Sequence, residues 1–300
     1  MSENRFPHTD TANTLVVLAA LALLIAVFLK PVEVQKPTYK LMVTFDISQS
    51  MGVEDHFEGG ANISRLNAAK KAAGELLEEL PCGSSVGWSI FTGRRVLSLI
   101  KPEDVCQHYA GLLTSLNFID GRMRWANASG VGKGLHQSIR AADEIDQATT
   151  VVFITDGHEA PPLRVGSRGM PKSDQYETDG VIVGVGGSVP VRIPKFDDDG
   201  NRTGYWLADE VVQRMDDASV QSHEELSRRQ DEHLGNLARL SGLAYMTLDS
   251  TDALVNTIKQ DRYAKSQLVS VELRWMPALV ALLLLCFRFL PVLRRFDRQS

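Results

Sequence analysis

Apolar and polar positions along this chain fall into three regimes. Residues 14–29 read Thr-Leu-Val-Val-Leu-Ala-Ala-Leu-Ala-Leu-Leu-Ile-Ala-Val-Phe-Leu, without a charge. Residues 275–293 are apolar apart from Arg288, and the run Leu282-Leu283-Leu284-Leu285 leaves no polar face. Between these ends, short apolar runs alternate with longer amphipathic ones. The short runs at 40–46, 86–92, 96–100, 181–185, 243–248 and the stretch ending at Asp156 predict strands. The amphipathic runs at 64–80, 102–115, 131–145, 234–240 and 252–263 predict helices. Pro81-Cys82-Gly83 ends the first of these, and Pro102-Glu103-Asp104 opens the second. Gly93-Arg94 between two strand patterns predicts a hairpin. Strand and helix in alternation predict an α/β sheet, mostly parallel.

The terminal runs match the length of membrane spans, since about 20 apolar helical residues cross a bilayer. We expect spans at 12–30 and 275–293, an N-terminal tail at 1–11 and a basic tail at 294–300. A cleaved signal peptide is the alternative for the first. Lys30-Pro31-Val32-Glu33 follows directly with no small-x-small cleavage site, which favours a retained anchor. Trp275 suits a membrane interface, and Arg288 is close enough to the helix end to snorkel. Arg288, Arg294, Arg295 and Arg298, against Asp297 alone, place the C-terminal tail in the cytoplasm. Two spans return the N-terminus to the same side, so the intervening domain at 39–264 faces the periplasm. Lys30, Lys36 and Lys40 pull the other way.

The length of 300 residues suits one large domain with appendages, and no sustained internal repeat is present. A formal net charge of −5 argues against nucleic-acid binding. No Gly-rich phosphate loop, CxxC pair or His-x-x-x-His spacing occurs. The chemistry concentrates where two strand patterns end. The first closes in Asp46-Ile47-Ser48-Gln49-Ser50, and alternation puts Asp46, Ser48 and Ser50 on one side. The second closes in Thr155-Asp156-Gly157. Carboxylates and hydroxyls are hard oxygen donors of the kind Mg²⁺ prefers. A capped turn is the bland alternative for Asp-x-Ser-x-Ser taken alone.

These motifs resemble the von Willebrand factor A (vWA) family and its metal-ion-dependent adhesion site. The resemblance covers about 220 residues. It implies a Rossmann-like, mostly parallel sheet with one antiparallel edge strand, here flanked by two transmembrane helices. It also implies Mg²⁺ or Mn²⁺ held by Asp46, Ser48, Ser50, Ser129 and Asp156. Ser129 stands where the family carries a Thr, within Ala128-Ser129-Gly130-Val131-Gly132-Lys133-Gly134-Leu135. Thr114 and Ser115 are fallback donors, but they lie in a helical pattern. In a vWA fold Cys82 and Cys106 fall at the edge opposite the metal. A disulfide is feasible there, and an oxidising compartment permits it. Cys286 reads as an apolar filler in the second span.

Three segments exceed a minimal domain of this kind: 53–62, 116–127 and 188–210. The first two flank the metal and carry partner-contact candidates His56, Arg124 and Trp125. His158, two residues past Asp156, is a fourth. Asp197-Asp198-Asp199-Gly200-Asn201 lacks the later Glu of a calcium loop and reads as a solvated hairpin turn.

The implied role is a membrane-anchored interaction module, not an enzyme. The metal takes a carboxylate from a protein partner. The segments Arg65-Leu66, Leu80-Pro81-Cys82-Gly83, 119–129, 155–162 and 184–187 resemble vWA accessory proteins of bacterial methanol-oxidation clusters, which implies maturation of methanol dehydrogenase alongside a MoxR-type ATPase. The alternative is a Bat-type envelope-stress vWA protein working with a MoxR AAA+ ATPase. A metal-dependent phosphohydrolase using Asp46 is the alternative of another class. It would need a nearby second Asp and a Lys-bearing phosphate loop.

The topology predicts that a periplasm-active reporter fused near Gly200 is active and one fused after Ser300 is not. Reversed activities overturn it.

Overall fold

A computed structural model describes residues 8–58, 60–164, 167, 169–170, 178–197, 199–213 and 223–296. It divides into two units, one of residues 37–266 and one of the two chain ends, 1–36 with 267–300. In chain order the elements begin with α1 (His8–Phe28), β1 (Val32–Thr38) and β2 (Lys40–Asp46), then a 3₁₀ turn at Gln49–Gly52. The hairpin β3 (His56–Glu58) and β4 (Ala61–Ile63) precedes α2 (Arg65–Glu79), β5 (Ser85–Thr92), β6 (Arg95–Asp104), α3 (Tyr109–Phe118) and α4 (Val131–Ile145). There follow β7 (Thr150–Thr155), β8 (Gly180–Gly184), β9 (Val191–Arg192), β10 (Pro194–Phe196), β11 (Arg202–Tyr205) and β12 (Leu226–Ser227). The chain closes with α5 (Asp231–Ser241), β13 (Ala244–Thr247), α6 (Thr251–Ile258), β14 (Lys265–Val271) and α7 (Trp275–Phe296).

In the terminal unit α1 lies against α7, and Arg274 Nε donates to the Leu29 carbonyl at 2.9 Å. Among the described residues no helix is long and apolar enough to cross a membrane. The structure therefore forms helices over both expected spans without establishing a crossing. Residues 1–7 of the N-terminal tail and 297–300 of the basic tail lie outside the described residues, as does Asp198.

The larger unit is built on a six-stranded sheet of order β13-β8-β7-β2-β5-β6. The first five strands run parallel, and β6 alone is antiparallel, paired with β5. This is a vWA-like α/β fold. Strand β2 is buried along almost its whole length because helices cover both of its faces. Leu41, Val43 and Phe45 point into a core shared with α2, α3 and α6, while Met42 joins α4 and α5 on the other face. Ser64 caps α2, its hydroxyl accepting the Asn67 N–H at 3.2 Å.

Two boundaries differ from the pattern. Pro102-Glu103-Asp104 does not open a helix; β6 continues through it, pairing Glu103 with Val86 and Asp104 with Ser85. Asp104 Oδ1 then accepts the N–H groups of Cys106 and Gln107, both at 2.9 Å, and this turn delays α3 to Tyr109. The closing helix stops at Ile258 rather than 263, because Tyr263 folds inward and its hydroxyl donates to the Gly180 carbonyl at 3.3 Å. The pairings β1–β14, β3–β4 and β9–β12 left no readable signal in short or exposed strands.

Cys82 and Cys106 are joined by a disulfide across a Cα separation of 5.3 Å, beside the amino end of β5. The bridge closes a loop of 24 residues. Replacing both cysteines by Ser is expected to cost roughly 3 kcal/mol of stability, by loop-closure entropy returned to the unfolded chain. Chemical denaturation with and without reductant measures it. Equal midpoints would remove the claim.

Candidate metal centre

The sheet order reverses between β2 and β7, where crossovers leave to opposite sides and a crevice opens at the carboxyl ends. Asp46 ends β2, and Asp156 follows the last residue of β7. Phe45 is in register with Ile154, so the two carboxylates flank the same crevice.

Asp46 is fully buried. Its Oδ1 accepts the Ser48 N–H at 2.8 Å and its Oδ2 the Thr155 hydroxyl at 2.6 Å. The Ser48 and Ser50 hydroxyls lie 3.2 Å apart. Ser129 is held by backbone pairing on both sides. Its N–H donates to the Ala160 carbonyl at 2.7 Å, and the neighbouring Gly130 N–H donates to the Gly93 carbonyl at 2.6 Å. The Ser129 hydroxyl is buried and has no hydrogen-bond partner. A buried hydroxyl left unsatisfied is costly, so this atom is a natural ligand position. Thr114 and Ser115, the fallback donors, lie within α3, and the Ser115 hydroxyl donates to the Leu112 carbonyl.

Asp156 is also fully buried. Its Oδ1 accepts the His158 N–H at 3.0 Å. Its Oδ2 accepts Arg65 Nη1 at 2.6 Å and the Ser227 hydroxyl at 2.9 Å. Arg65 is wholly buried and grips Asp55 as well, with Nε 3.0 Å from Oδ1 and Nη2 2.6 Å from Oδ2. Gly187 N–H adds a bond to Asp55 Oδ2 at 2.9 Å. Gly186, at φ +105°, lets the backbone pass against the guanidinium where a Cβ would strike it. Arg65 is a site residue that motif reading did not assign. The available signal was its place beside Leu66, on the face that α2 buries with Ala68, Ala69, Ala72 and Leu76. A charge on an apolar helix face calls for a partner.

Two carboxylates, Asp55 and Asp156, thus face one guanidinium, and Asp46 lies at the neighbouring strand end. Burial, then the Asp156 charge, pushes the Asp46 carboxyl up to about 7 against the opposing hydrogen bonds from Thr155 and Ser48. Burial also works to raise Asp55, but the Arg65 hydrogen bonds and charge hold it below the usual carboxylate range. Among the described residues no group of three or more His, Cys, Asp or Glu converges. The donors are instead two carboxylates and three hydroxyls, an all-oxygen set suited to a hard divalent cation.

The other named residues lie around this crevice. His158 is buried beside Asp156 and lines the cavity above Ser48, Ser50 and Ser129. Arg124 lines a second, more polar cavity on the far side of Gln49. Trp125 is 46% exposed and lines neither cavity. His56 opens β3, paired with Ile63. The segment 188–210 comes closer to the metal motif than its sequence indicated. Trp206 Nε1 donates to Gln49 Oε1 at 2.6 Å, and Gln49 Nε2 donates to Asn127 Oδ1 at 2.8 Å. Its turn is the hairpin β10–β11, with the Asn201 N–H bonded to Asp197 Oδ1 at 2.7 Å.

No protein-family model matches the chain. Proteins named UPF0353 from Mycobacterium strains KMS and JLS are 25% identical over 162 residues, covering 54% of this chain and 43% of theirs. The matched region is therefore less than half the length of these curated relatives. An aerotolerance-related membrane protein from Bacteroides fragilis superposes with a TM-score of 0.52 at 18% identity, covering 74% of this chain and 98% of that one. BatB from Bacteroides thetaiotaomicron gives 0.49 at 17% identity, over 73% and 95%. The six-stranded, mostly parallel sheet with one antiparallel edge fits a vWA-like fold.

Two outcomes are expected from this geometry. Arg65→Met leaves Asp156 and Asp55 buried without their cation and should destabilise the domain by about 3–5 kcal/mol, read from urea midpoints. A loss below 1 kcal/mol would show that the network contributes little. The raised Asp46 carboxyl means that the folded chain holds a proton the unfolded chain releases. That stability is complete below the ordinary carboxylate value of 3.8 and is lost as pH rises through about 7. In chelator, this carboxyl should make the melting temperature fall between about pH 4 and 7, and Asp46→Asn should flatten the fall. An unchanged slope in the variant would refute the assignment.

Proposed function

We propose that this chain is a membrane-anchored interaction module in which Mg²⁺ or Mn²⁺, held by Asp46, Ser48, Ser50, Ser129 and Asp156, takes a carboxylate from a partner protein. The observation that carries this reading is the buried, unpartnered Ser129 hydroxyl beside the paired Ser48 and Ser50 hydroxyls. A bound cation supplies a Lewis-acidic site for the incoming anion. Arg65 already engages Asp156, so the protein gives the ion little negative charge and leaves it attractive to another carboxylate.

The reading assigns the site to binding rather than to catalysis. Both Asp46 oxygens accept hydrogen bonds, from Ser48 N–H and the Thr155 hydroxyl, which suits an orienting carboxylate better than a nucleophile. Anchoring through two spans is supported by the exposed apolar surface of the terminal helices. Leu21, Leu24, Ile25, Val27 and Phe28 on α1, with Leu279, Val280, Leu282, Leu283 and Phe287 on α7, lie open. A periplasmic domain agrees with the Cys82–Cys106 disulfide.

Of the two pathways, the Bat-type envelope-stress role with a MoxR AAA+ ATPase has more support. A fold neighbour is named as an aerotolerance-related membrane protein. The role in methanol dehydrogenase maturation rests on the resemblance of the segments 65–66, 80–83, 119–129, 155–162 and 184–187. Deleting the gene separates them: an oxygen or envelope-stress defect with normal growth on methanol supports the first, and the converse the second.

The metal reading predicts that Mg²⁺ at about a hundred times its Kd adds about 2.7 kcal/mol of stability. Ser129→Ala should abolish or weaken that shift yet match the wild type in chelator, because its hydroxyl bonds nothing in the protein. No thermal shift and no calorimetric heat in millimolar Mg²⁺ would sink the reading.

A further inference from the structure

The metal motif does not lie open on the surface. Ser48, Ser50 and Ser129 are only 5%, 3% and 3% exposed, at the floor of a cavity of about 260 Å³. The walls above them are largely apolar: Trp206, Ile193, Val211 and Val212 on one side, Pro161 and Pro162 on the other. The first four belong to the stretch that follows β8, so this wall is supplied by an insertion rather than by the sheet.

That insertion is fastened to the metal motif itself. Trp206 is bonded to Gln49, the residue between Ser48 and Ser50. Phe196 packs on Gly52 so closely that a Cβ there would lie 2.7 Å from the ring. On its outer side the insertion is tied by Lys195 to Glu210 at 2.5 Å, with the same ammonium 4.7 Å above the Trp206 ring. Three carboxylates also line the cavity, Glu159, Glu210 and Glu224, and none of them is without a partner. Glu210 bonds Lys195 and the Leu207 N–H, and Glu159 bonds His233 Nε2 at 3.1 Å and the Gly132 N–H at 3.2 Å.

Resting on the metal reading above, we propose that the site selects a carboxylate borne on a peptide segment with an aliphatic side chain beside it, the acid reaching the metal and the aliphatic group packing against Trp206 and the valines. The depth of the hydroxyls excludes a flat protein face, because the donors are reached only by an inserted arm. The cavity has room for an acidic arm and one further side chain. Polar surroundings would favour a solvated acid; these walls gain by removing apolar surface from water.

The test uses the full chain in detergent with Mg²⁺ and two blocked peptides, acetyl-Val-Glu-Val-amide and acetyl-Gly-Glu-Gly-amide, by calorimetry. The Val peptide should bind at least tenfold more tightly. The preference should vanish in Trp206→Ala and shrink in Val212→Ser, a residue that is 65% exposed and so gives up little buried contact when exchanged. Chelator should abolish binding of both. Equal affinities, or a preference that survives Trp206→Ala and Val212→Ser alike, overturn the apolar selection while the metal reading stands. So does a Mg²⁺ response with no binding of either peptide. Absence of any Mg²⁺ response overturns the metal reading and this inference with it.

Discussion

The buried guanidinium of Arg65 is the interaction on which the site depends. It bonds Asp156 after β7, Asp55 in the loop beyond the 3₁₀ turn, the hydroxyl and carbonyl of Ser227 on β12, and the Ser50 carbonyl within the metal motif. Segments far apart in sequence meet on one planar cation. Removing such a group from water costs several kcal/mol, and the cost is offset only when nearly every N–H finds an acceptor. Here the fork geometry of Arg finds five such acceptor groups on four residues, which a Lys ammonium could not match. Any partial arrangement would leave a buried charge unpaired, so the network admits few alternatives.

Around this node the proposed donors are positioned first by backbone, and the two carboxylates also by bonds of their own. Asp46 and Asp156 ride on adjacent parallel strands, and Ser129 is pinned by pairing with Ala160 while its neighbours Ala128 and Gly130 pair with Gly93. The hydroxyl itself is left without a bond. Preorganisation of this kind places the ordering cost in folding rather than in ligand binding. Burial and the Asp156 charge together raise the Asp46 carboxyl.

The insertion after β8 sets what surrounds the donors. Its hairpin packs on the 3₁₀ turn through Phe196 and on Gln49 through Trp206, and it reaches the neighbouring loops, with Arg122 against Gly200 and Arg202 3.7 Å from Glu54. Two insertions and the metal motif therefore behave as one packed edge. The vWA-like sheet provides the position, and the additions provide its walls.

Much of the fold was legible because period and punctuation agree with burial. The run 40–46 is apolar on both faces because helices cover both, and α4 occupies Val131–Ile145 as its amphipathic spacing demanded. Asp46, Ser48, Ser50 and Asp156 could be named because each sits where a strand pattern stops, and strand ends in such sheets converge. The run 102–115 misled because a Pro-Glu-Asp signal for helix initiation is equally compatible with an edge strand ending in an Asp-capped turn; pairing with β5 decided it. Arg65 and Trp206 were not assignable to the site, since their partners lie 91 and 157 residues away in the chain. Local pattern determines which faces must be buried. Which side chain meets which across the crevice is a property of long-range closure, and only the folded chain decides it.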